Sequence, residues 1–501
     1  MGGLAAALDL ACAGFEVTVL EAQATPGGKM RQIRIEGAMI DAGPTVFTMK
    51  WVFDALFSDA GTSIERELTL SPVTTLARHA WNGTDTLDLF ADFERSVDAI
   101  GTFAGSQAAA GYRSFCERAQ ITFNLLDASF IRAERPSVAG MMLHAGRNRP
   151  QDVLRIKPYT TLWRALHEHF RDRRLRQLFG RYATYSGSSP FLASATLMLI
   201  AHVERMGVYQ IEGGMHALAA SLQKLAGAKG AAFRFNAAVK SIETTRGAAS
   251  AVILASGDRI PADAIVFNGD INALAAGLLG SAAATALTAT PIASRSQSAI
   301  TYALLSPTSG FELAHHNVFF SNDYAAEFDD VFARGRVPLD PTVYVCAQDR
   351  GANHPPAEGT PERLLCLINA PACGDHTKFT SEEMAQCQSR TFQQLARCGL
   401  SVQAAPPNLI VTAPQDFEQL FPATGGALYG AASHGWMAPF QRPGSRSKIP
   451  GLYLAGGSCH PGAGVPMATL SGRLAARAIL ADHASISRSP MAAIPGGTST
   501  R

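Results

Sequence analysis

The sequence is short of charge and has no long apolar run. Charged residues make up 17% of its 501 residues and leave a formal net charge of +2, so no excess of positive charge indicates a nucleic-acid partner. No uninterrupted apolar stretch reaches the about 18 residues of a membrane-spanning helix, and no basic segment opens the chain as in a secretory signal. We therefore expect neither a spanning helix nor a secreted protein.

Cysteine is also scarce and never has the C-x-x-C spacing of metal and redox motifs. The eight cysteines are scattered along the chain, which is typical of reduced, mostly buried thiols in a cytosolic protein. Cys366, Cys373 and His376 lie near one another in the sequence, but their spacing fits no common zinc module. No metal is expected.

The first residues that carry a pattern are those at the start of the chain. Apolar residues recur at helical spacing from Leu4 to Ala11, Gly14 ends the helix, and a β-branched run over 15–20 predicts a buried strand. The same residues also fit an ordinary amphipathic helix followed by a strand. The choice between an ordinary helix and a cofactor-binding unit depends on the residues beyond the strand.

Helix and strand together match the second half of a dinucleotide-binding βαβ unit. Gly3 occupies the last glycine position of the G-x-G-x-x-G fingerprint, and Glu21 lies 18 residues further on, where a carboxylate binds the adenosine ribose. The first strand of the unit and the earlier glycines are missing from the sequence. We therefore expect Met1 to be an internal or truncated start.

The next segment contains a glycine pair, Gly27-Gly28, and a turn at Asp41-Ala42-Gly43-Pro44, both of which let backbone approach a bulky ligand. This combination resembles the N-terminal FAD motif shared by flavin amine oxidases and carotenoid desaturases. The resemblance implies an α/β fold with a Rossmann-like FAD-binding domain. It assigns cofactor contacts to Gly3, Glu21, Gly27, Gly28, Lys29, Gly43, Pro44 and Thr45.

Two distant segments complete the resemblance. Residues 207–269 contain a helical pattern and several strand-like runs, with Val239 implied near the adenine and equally suited to a strand core. Residues 451–466 pass from a strand through a glycine-rich turn into a helix that begins near Pro466, whose amides can stabilise charge on a reduced flavin. The family usually has threonine where this chain has Cys459. The implied contacts here are Gly456, Gly457, Gly464, Val465 and Pro466.

The expected domains are consequently discontinuous. Residues 1–70, 205–290 and 420–482 form the FAD-binding domain in this prediction, and residues 71–204 and 291–419 form a substrate and membrane-contact domain. Residues 483–501 contain many Ser, Gly and Pro residues and are predicted to be a disordered tail.

Three stretches narrow the resemblance further: residues 43–49, 178–190 and 421–436. They are similar to the branch of carotenoid desaturases that acts at the 3,4 bond of 1-hydroxy or 1-methoxy acyclic carotenoids. The resemblance implies FAD-dependent desaturation with a quinone or oxygen as electron acceptor. A phytoene desaturase, a flavin amine oxidase, a polyene isomerase and a non-catalytic carotenoid carrier remain alternatives.

An acyclic carotenoid requires a long apolar tunnel and access to lipid. The run 191–200, with Leu192, Leu197, Leu199 and Ile200, suits a tunnel wall or an ordinary core helix. Residues 132–181 contain twelve Lys or Arg and four Asp or Glu. The apolar residues Leu162, Trp163, Leu166 and Phe170 lie among them. This pattern indicates a peripheral contact with the cytoplasmic face of a membrane, or a solvated helix with internal salt bridges.

Hydride transfer to a flavin requires little acid–base machinery from the protein. His460 is the catalytic candidate, for proton handling, with a purely structural role in its turn as the alternative. Tyr429 and Trp436 are candidates for the flavin face or the tunnel. His315-His316 and the His167/His169 pair are expected in loops or on helix surfaces.

Overall fold

The structure is a computed structural model that describes residues 1–148, 156–351, 356–357, 359–403 and 405–488. For residues 144–148 and 486–488 it describes the backbone alone.

The strands are β1 Thr18–Leu20, β2 Gln32–Ile35, β3 Ala38–Asp41, β4 Leu70–Pro72, β5 Thr75–Ala80, β6 Thr86–Phe90, β7 Tyr209–Ile211, β8 Ala232–Arg234, β9 Val239–Thr245, β10 Ala248–Leu254, β11 Arg259–Pro261, β12 Ile265–Phe267, β13 Ser298–Ser306, β14 Thr308–Gly310, β15 His316–Phe319, β16 Val343–Ala347, β17 Glu362–Ala370, β18 Leu400–Val402, β19 Leu409–Thr412 and β20 Leu452–Leu454.

The α-helices are α1 Gly2–Cys12, α2 Lys50–Asp59, α3 Ile64–Glu67, α4 Phe93–Ala104, α5 Ser106–Leu126, α6 Val138–Asn148, α7 Leu162–Leu166, α8 Arg173–Gly180, α9 Leu199–Arg205, α10 Met215–Ala228, α11 Ile271–Ala275, α12 Ser281–Ala284, α13 Tyr324–Phe328, α14 Ser381–Arg397, α15 Pro414–Leu420 and α16 Val465–Arg488.

The largest sheet has the strand order β19-β13-β17-β16-β15-β5-β6. Neighbouring strands run antiparallel, except that β15 and β5 are parallel. Its strands come from both stretches that the sequence analysis placed outside the FAD-binding domain. One face of β17 packs Cys366 and its neighbours against α14, because side chains alternate along a strand, and the other face turns towards a large cavity.

Short parallel pairs form the second part of the fold. β1 pairs with β8, and β12 pairs with β20, while β9, β10 and β11 form an antiparallel sheet. The strand-like runs predicted in residues 207–269 are therefore confirmed to within a few residues, and so is the helix that begins at Met215. The short strand β11 was not predicted.

Helices α1 and α16 cross so closely that a glycine is required at their contact. A Cβ atom added to Gly472 would lie 2.0 Å from the carbonyl oxygen of Gly2, well inside van der Waals contact. The glycine therefore lets two helices that begin at the same cavity pack directly against each other.

The predicted disordered tail begins too early. Helix α16 continues to Arg488, and within it Asp482 accepts hydrogen bonds from Arg446 and Tyr453 while His483 packs edge-to-face on Phe15. These contacts extend the helix past the predicted boundary at 483. Residues 489–501 lie outside the described residues.

Seven of the eight cysteines are buried and all eight are free thiols, as predicted, with Cys12 exposed. Within the described residues, no helix combines the length and apolarity that crossing a bilayer requires.

Candidate active site

A cavity of about 2330 Å³ lies between the parallel strand pairs and the seven-stranded sheet. Glu21, Val239 and Gly464, which are far apart in the sequence, all line it. Every residue to which the sequence analysis gave a cofactor contact also lines it, namely Gly3, Glu21, Gly27, Gly28, Lys29, Gly43, Pro44, Thr45, Val239, Gly456, Gly457, Gly464, Val465 and Pro466. The structure therefore brings the three segments to one place.

Glu21 follows directly after β1, at the carboxyl end of a parallel strand pair. One of its carboxylate oxygens accepts a hydrogen bond from the backbone N–H of Gln23 at 2.9 Å, and the carboxylate faces the cavity. Val239 opens β9, packs against a core cluster and also lines the cavity, which is compatible with a strand-core role and with the predicted adenine contact. Together they suit the ribose and the base of a dinucleotide.

Two helix N-termini meet at the same cavity. Helix α1 begins at Gly2 and α16 begins at Val465, and the first amides of each helix concentrate positive partial charge. Asn268, at the end of β12, accepts a hydrogen bond from the N–H of Gly3 at 2.8 Å and donates to Ala455 at 3.1 Å. Sequence analysis missed Asn268, although a polar residue directly after a strand is a usable signal.

Glycines keep the cavity wall open or allow close packing behind it. A Cβ on Gly28, which has φ +59°, would meet no atom within 4 Å, whereas a Cβ on Gly43 would lie 1.9 Å from the carbonyl oxygen of Lys29. Gly28 therefore leaves bare backbone at the cavity. Gly43 permits its own turn to pack directly against the glycine pair segment that contains Lys29. A carboxylate, two helix starts and bare backbone are the groups that a flavin dinucleotide requires.

The ammonium of Lys29 joins the N-terminal motif to the segment around residue 428. It donates a hydrogen bond to the carbonyl of Leu428 at 2.7 Å and lies 5.2 Å from the ring of Phe421. Burial lowers the pKa of Lys29, and the distant charge of Asp270 partly opposes that effect.

The part of the cavity beneath the large sheet is mostly apolar and aromatic. Leu197, Leu199 and Ile200 line it, as predicted. Leu192 is 49% exposed and Phe191 packs on Trp163, so neither forms the predicted wall. The sheet, helix α13 and the C-terminal segment contribute further large side chains, among them Tyr324, Tyr344, Leu365, Leu367, Tyr429 and Trp436.

A polar cluster interrupts this apolar lining. Tyr182 donates a hydrogen bond at 2.7 Å to one carboxylate oxygen of Glu204, and Tyr185 donates one at 2.7 Å to the other oxygen. The guanidinium carbon of Arg181 lies 5.7 Å from the ring centre of Tyr185 and 5.0 Å from that of Tyr344. Burial raises the pKa of Glu204, and the two tyrosine hydroxyls oppose that shift. No role was predicted for these residues, although a charged residue within the run 178–190, Arg181, is a usable signal in the sequence.

Residues 1–480 match the family described as flavin containing amine oxidoreductase. The chain belongs to this family.

Individual relatives agree with this membership of the flavin containing amine oxidoreductases. Hydroxyneurosporene desaturase of Rubrivivax gelatinosus is 51% identical over 100% of this chain and 95% of its own length. The protein of the same name from Cereibacter sphaeroides is 47% identical, covering 97% of each chain. The 1-hydroxycarotenoid 3,4-desaturase of a Flavobacterium species is 30% identical over 95% of this chain and 96% of its own. The resemblance stated from the sequence is confirmed.

Solved structures show the same fold. An oxidoreductase from Methanosarcina mazei superimposes with a TM-score of 0.58 at 15% identity, covering 96% of this chain and 98% of that one. A variant of putrescine oxidase has a TM-score of 0.57 at 14% identity, covering 97% of each chain. The predicted α/β architecture is thereby confirmed, and the chain is a flavin oxidoreductase.

His460 of this flavin oxidoreductase lies behind the site. Its Nε2 donates a hydrogen bond to the carbonyl of Ala133 at 2.8 Å, and its ring packs edge-to-face on Phe130. Burial lowers its pKa to about 4. Neither His460 nor Cys459 is among the described residues that line the cavity. The position fits the structural alternative for His460.

The prediction for His315-His316 is wrong for His316. This residue is buried in β15 and its Nδ1 lies 2.7 Å from the hydroxyl of Tyr344. The strand that pairs with it, β16, is distant in sequence, so the local pattern around His316 did not indicate a sheet. His315, His316 and Cys346 hold their ligand atoms within 4.8 Å of one another, a grouping that no spacing rule detects.

The predicted amphipathic membrane surface is also corrected. Leu162, Leu166 and Phe170 are buried in the core, since neighbouring helices cover the face that was expected to meet lipid. Lys157 and Arg118 both pair with Glu168, as in the salt-bridged alternative. Of the basic residues counted there, Arg149 and Arg155 lie outside the described residues, and so does the side chain of Arg147.

Other apolar side chains are exposed instead, near the opening of the cavity. Met142 is 52% exposed, Leu143 60% and Tyr159 72%. Met142 and Tyr159 also line the cavity, and Tyr159 packs edge-to-face on Trp436 at 5.0 Å.

Proposed function

We propose that this chain is an FAD-dependent desaturase that introduces the 3,4 double bond of a 1-hydroxy or 1-methoxy acyclic carotenoid. The observation that carries the proposal is that the segments with the flavin-binding motifs and many apolar side chains line the same cavity. We call the part of this cavity that is lined by Leu197, Ile200, Leu365 and Leu367 the chamber. The names of the relatives at 51%, 47% and 30% identity support the substrate class.

FAD fits better than a mononucleotide because the residues for both halves of a dinucleotide are present. Glu21 suits the adenosine ribose, and the start of α16 at Val465 suits the other end of the cofactor. Gly27 and Gly28 lie between these ends in the cavity wall. Of the two halves of FAD, only the adenosine half requires the carboxylate of Glu21.

The residues of the chamber orient the polyene and exclude water from it. Oxidised FAD, held by the segments around Glu21, Gly28 and Val465, would supply the acceptor for a hydride from one carbon of the 3,4 bond, while the neighbouring carbon would lose a proton as the double bond forms. Tyr344, Tyr429, Leu197 and Ile200, which all line the cavity, hold the flat polyene by contact. A quinone or oxygen re-oxidises the flavin in this proposal.

The substrate reaches the cavity from the cytoplasmic face of a membrane, to which the protein binds peripherally. Supporting this, the side chains of Met142 and Tyr159 are exposed and line the cavity, and the exposed Leu143 is the next residue along the chain from Met142. Exposed apolar residues beside an apolar cavity are the features of an interfacial contact.

The test supplies the flavin-loaded enzyme with candidate substrates in liposomes, with a quinone or oxygen as acceptor. A 1-hydroxylated acyclic carotenoid is expected to lose two hydrogens and absorb at longer wavelength. Phytoene converted beside an untouched hydroxylated carotenoid would contradict the proposal, as would isomerisation without change of mass or oxidation of an amine.

A further inference from the structure

Arg181 places a positive charge in the mostly apolar part of the cavity. It opens a 3₁₀ turn over Arg181–Ser186 and lines the cavity. Within the described part of the chain, no carboxylate forms an ion pair with it, and the hydroxyl of Tyr185 is the side-chain acceptor within reach of its guanidinium. Its close neighbours are the rings of Tyr185 and Tyr344.

Neither neighbouring polar group satisfies the guanidinium. Glu204 is the nearby carboxylate, but both of its oxygens accept from Tyr182 and Tyr185. The hydroxyl of Tyr185, which gives its proton to Glu204, has a lone pair for one N–H of Arg181 at most. A guanidinium carries five N–H donors, which is more than these two groups can accept.

A half-buried guanidinium that lines an apolar cavity favours a ligand that brings an oxygen acceptor. Leaving the donors unpaired against hydrocarbon is unfavourable, because a charged group taken from water must regain hydrogen bonds. Apolar and aromatic residues such as Leu365, Leu367 and Tyr324 line the cavity, together with a few uncharged polar side chains that include Thr301 and Asn369. The ligand suited to such a site is a long hydrocarbon with oxygen at one position.

We propose that Arg181 is the specificity-determining residue that donates a hydrogen bond to the oxygen of the substrate's hydroxylated or methoxylated end. This inference rests on the proposed function and adds the group that distinguishes an oxygenated end from a plain hydrocarbon end. Tyr185 and Glu204 act as positioning residues, because they hold the turn that carries Arg181.

The test measures how tightly carotenoids bind to the flavin-loaded enzyme in detergent micelles. The shift of the carotenoid absorption band reports the binding. The ligands are a 1-hydroxy carotenoid, its 1-methoxy ether and the hydrocarbon of the same length. The wild-type protein is expected to bind the hydrocarbon about 10- to 100-fold more weakly than the other two, the contribution of a hydrogen bond to a charged group.

Variants locate this preference. Arg181→Met is expected to weaken binding of the oxygenated ligands by about 10- to 100-fold and leave the hydrocarbon unchanged or tighter. Arg181→Lys keeps the charge on a different geometry and is expected to lie between. Arg173→Met is the matched control, since Arg173 donates to the carbonyl of Asn322 and does not line the cavity.

Several outcomes overturn the inference. Equal loss for all three ligands, or no loss, removes Arg181 from recognition. A changed flavin spectrum or reduction potential in Arg181→Lys would assign the residue to the cofactor instead. If Arg181→Met does not fold, Arg181→Lys and the wild-type comparison still decide. A wild-type protein that binds all three equally defeats this inference alone, whereas one that binds none defeats the proposed function as well.

Discussion

The hydroxyl of Thr45 lies 2.6 Å from the hydroxyl of Tyr344. Thr45 follows the second N-terminal glycine motif, and Tyr344 belongs to β16 of the large sheet. The same tyrosine hydroxyl lies 2.7 Å from Nδ1 of His316. A short chain of polar groups thus joins the flavin-binding part of the cavity to the sheet that roofs it.

Removing one end of this link is expected to reduce turnover while flavin stays bound. Tyr344→Phe loses the hydrogen bond to Thr45, and a neutral hydrogen bond is worth about 0.5–1.5 kcal/mol, so a fall of about 2- to 10-fold is expected in kcat/KM. Tyr302→Phe is the control, because its hydroxyl lies on the opposite face of the sheet against Cys387. Equal effects of the two substitutions would show that the link to Thr45 has no special role.

Glu21→Gln is expected to weaken flavin binding by about tenfold, because a charged acceptor for the ribose is replaced by a neutral one. Flavin content after purification and dialysis measures the effect. Glu36→Gln, at an exposed turn, is the matched control. A variant that retains flavin as tightly as the control would exclude Glu21 from the cofactor site.

Gly472→Ala is expected to destabilise the protein by about 1–3 kcal/mol, because the new methyl group would overlap the carbonyl of Gly2. Gly227→Ala also replaces a helical glycine, but its Cβ would meet nothing within 4 Å, so a gain of about 0.5–1 kcal/mol is expected. Thermal unfolding followed by circular dichroism compares the two. A stable Gly472→Ala would mean that α1 and α16 are further apart than the structure places them.

Acidification is expected to destabilise the fold, partly through His79. Burial lowers the pKa of His79 to about 4, below the unfolded value of about 6.5. Between those two pKa values, the imidazole of His79 is protonated in the unfolded chain and neutral in the folded chain. Stability is therefore complete above about pH 6.5 and falls as the pH drops towards 4, by up to about 3 kcal/mol for this residue.

His79→Gln is the test of that contribution. The unfolding midpoint of the variant, measured from pH 4 to 7, is expected to depend less steeply on pH, by about one proton. His376→Gln, at an exposed position, is the control. Identical pH profiles for all three proteins would refute the assignment to His79.

Leu143→Asp tests the membrane contact. Replacing a 60% exposed leucine near the cavity opening with a carboxylate is expected to weaken sedimentation with anionic liposomes by about tenfold or more. Ile292→Asp is matched in exposure, at 62%, and lies on another part of the surface. Comparable losses in both variants would argue against a defined membrane face.

The local pieces of the fold were predictable because their signals are local. Helical spacing from Leu4 and a strand ending before Glu21 depend on nearest neighbours along the chain. The glycine pair at 27–28 and the turn into Pro466 require backbone freedom that few other residues allow. All residues given cofactor contacts from these motifs line the cavity.

The surface assignment failed because burial is not a local property. An apolar stripe such as Leu162, Leu166 and Phe170 looks the same whether lipid or protein covers it. In this fold the neighbouring helices cover it, and Met142, Leu143 and Tyr159 are exposed in its place.

The sequence alone determined which segments have the chemistry of a flavin site, since glycines, a carboxylate and helix starts are written into short motifs. Only the tertiary structure decided that Arg181 lies in the cavity beside Tyr344, and that Glu204 accepts hydrogen bonds from two tyrosines. These residues come from separate helices and a strand, and no spacing rule relates them. Their meeting depends on how the large sheet packs over the cofactor segments, which is settled by the burial of the whole core.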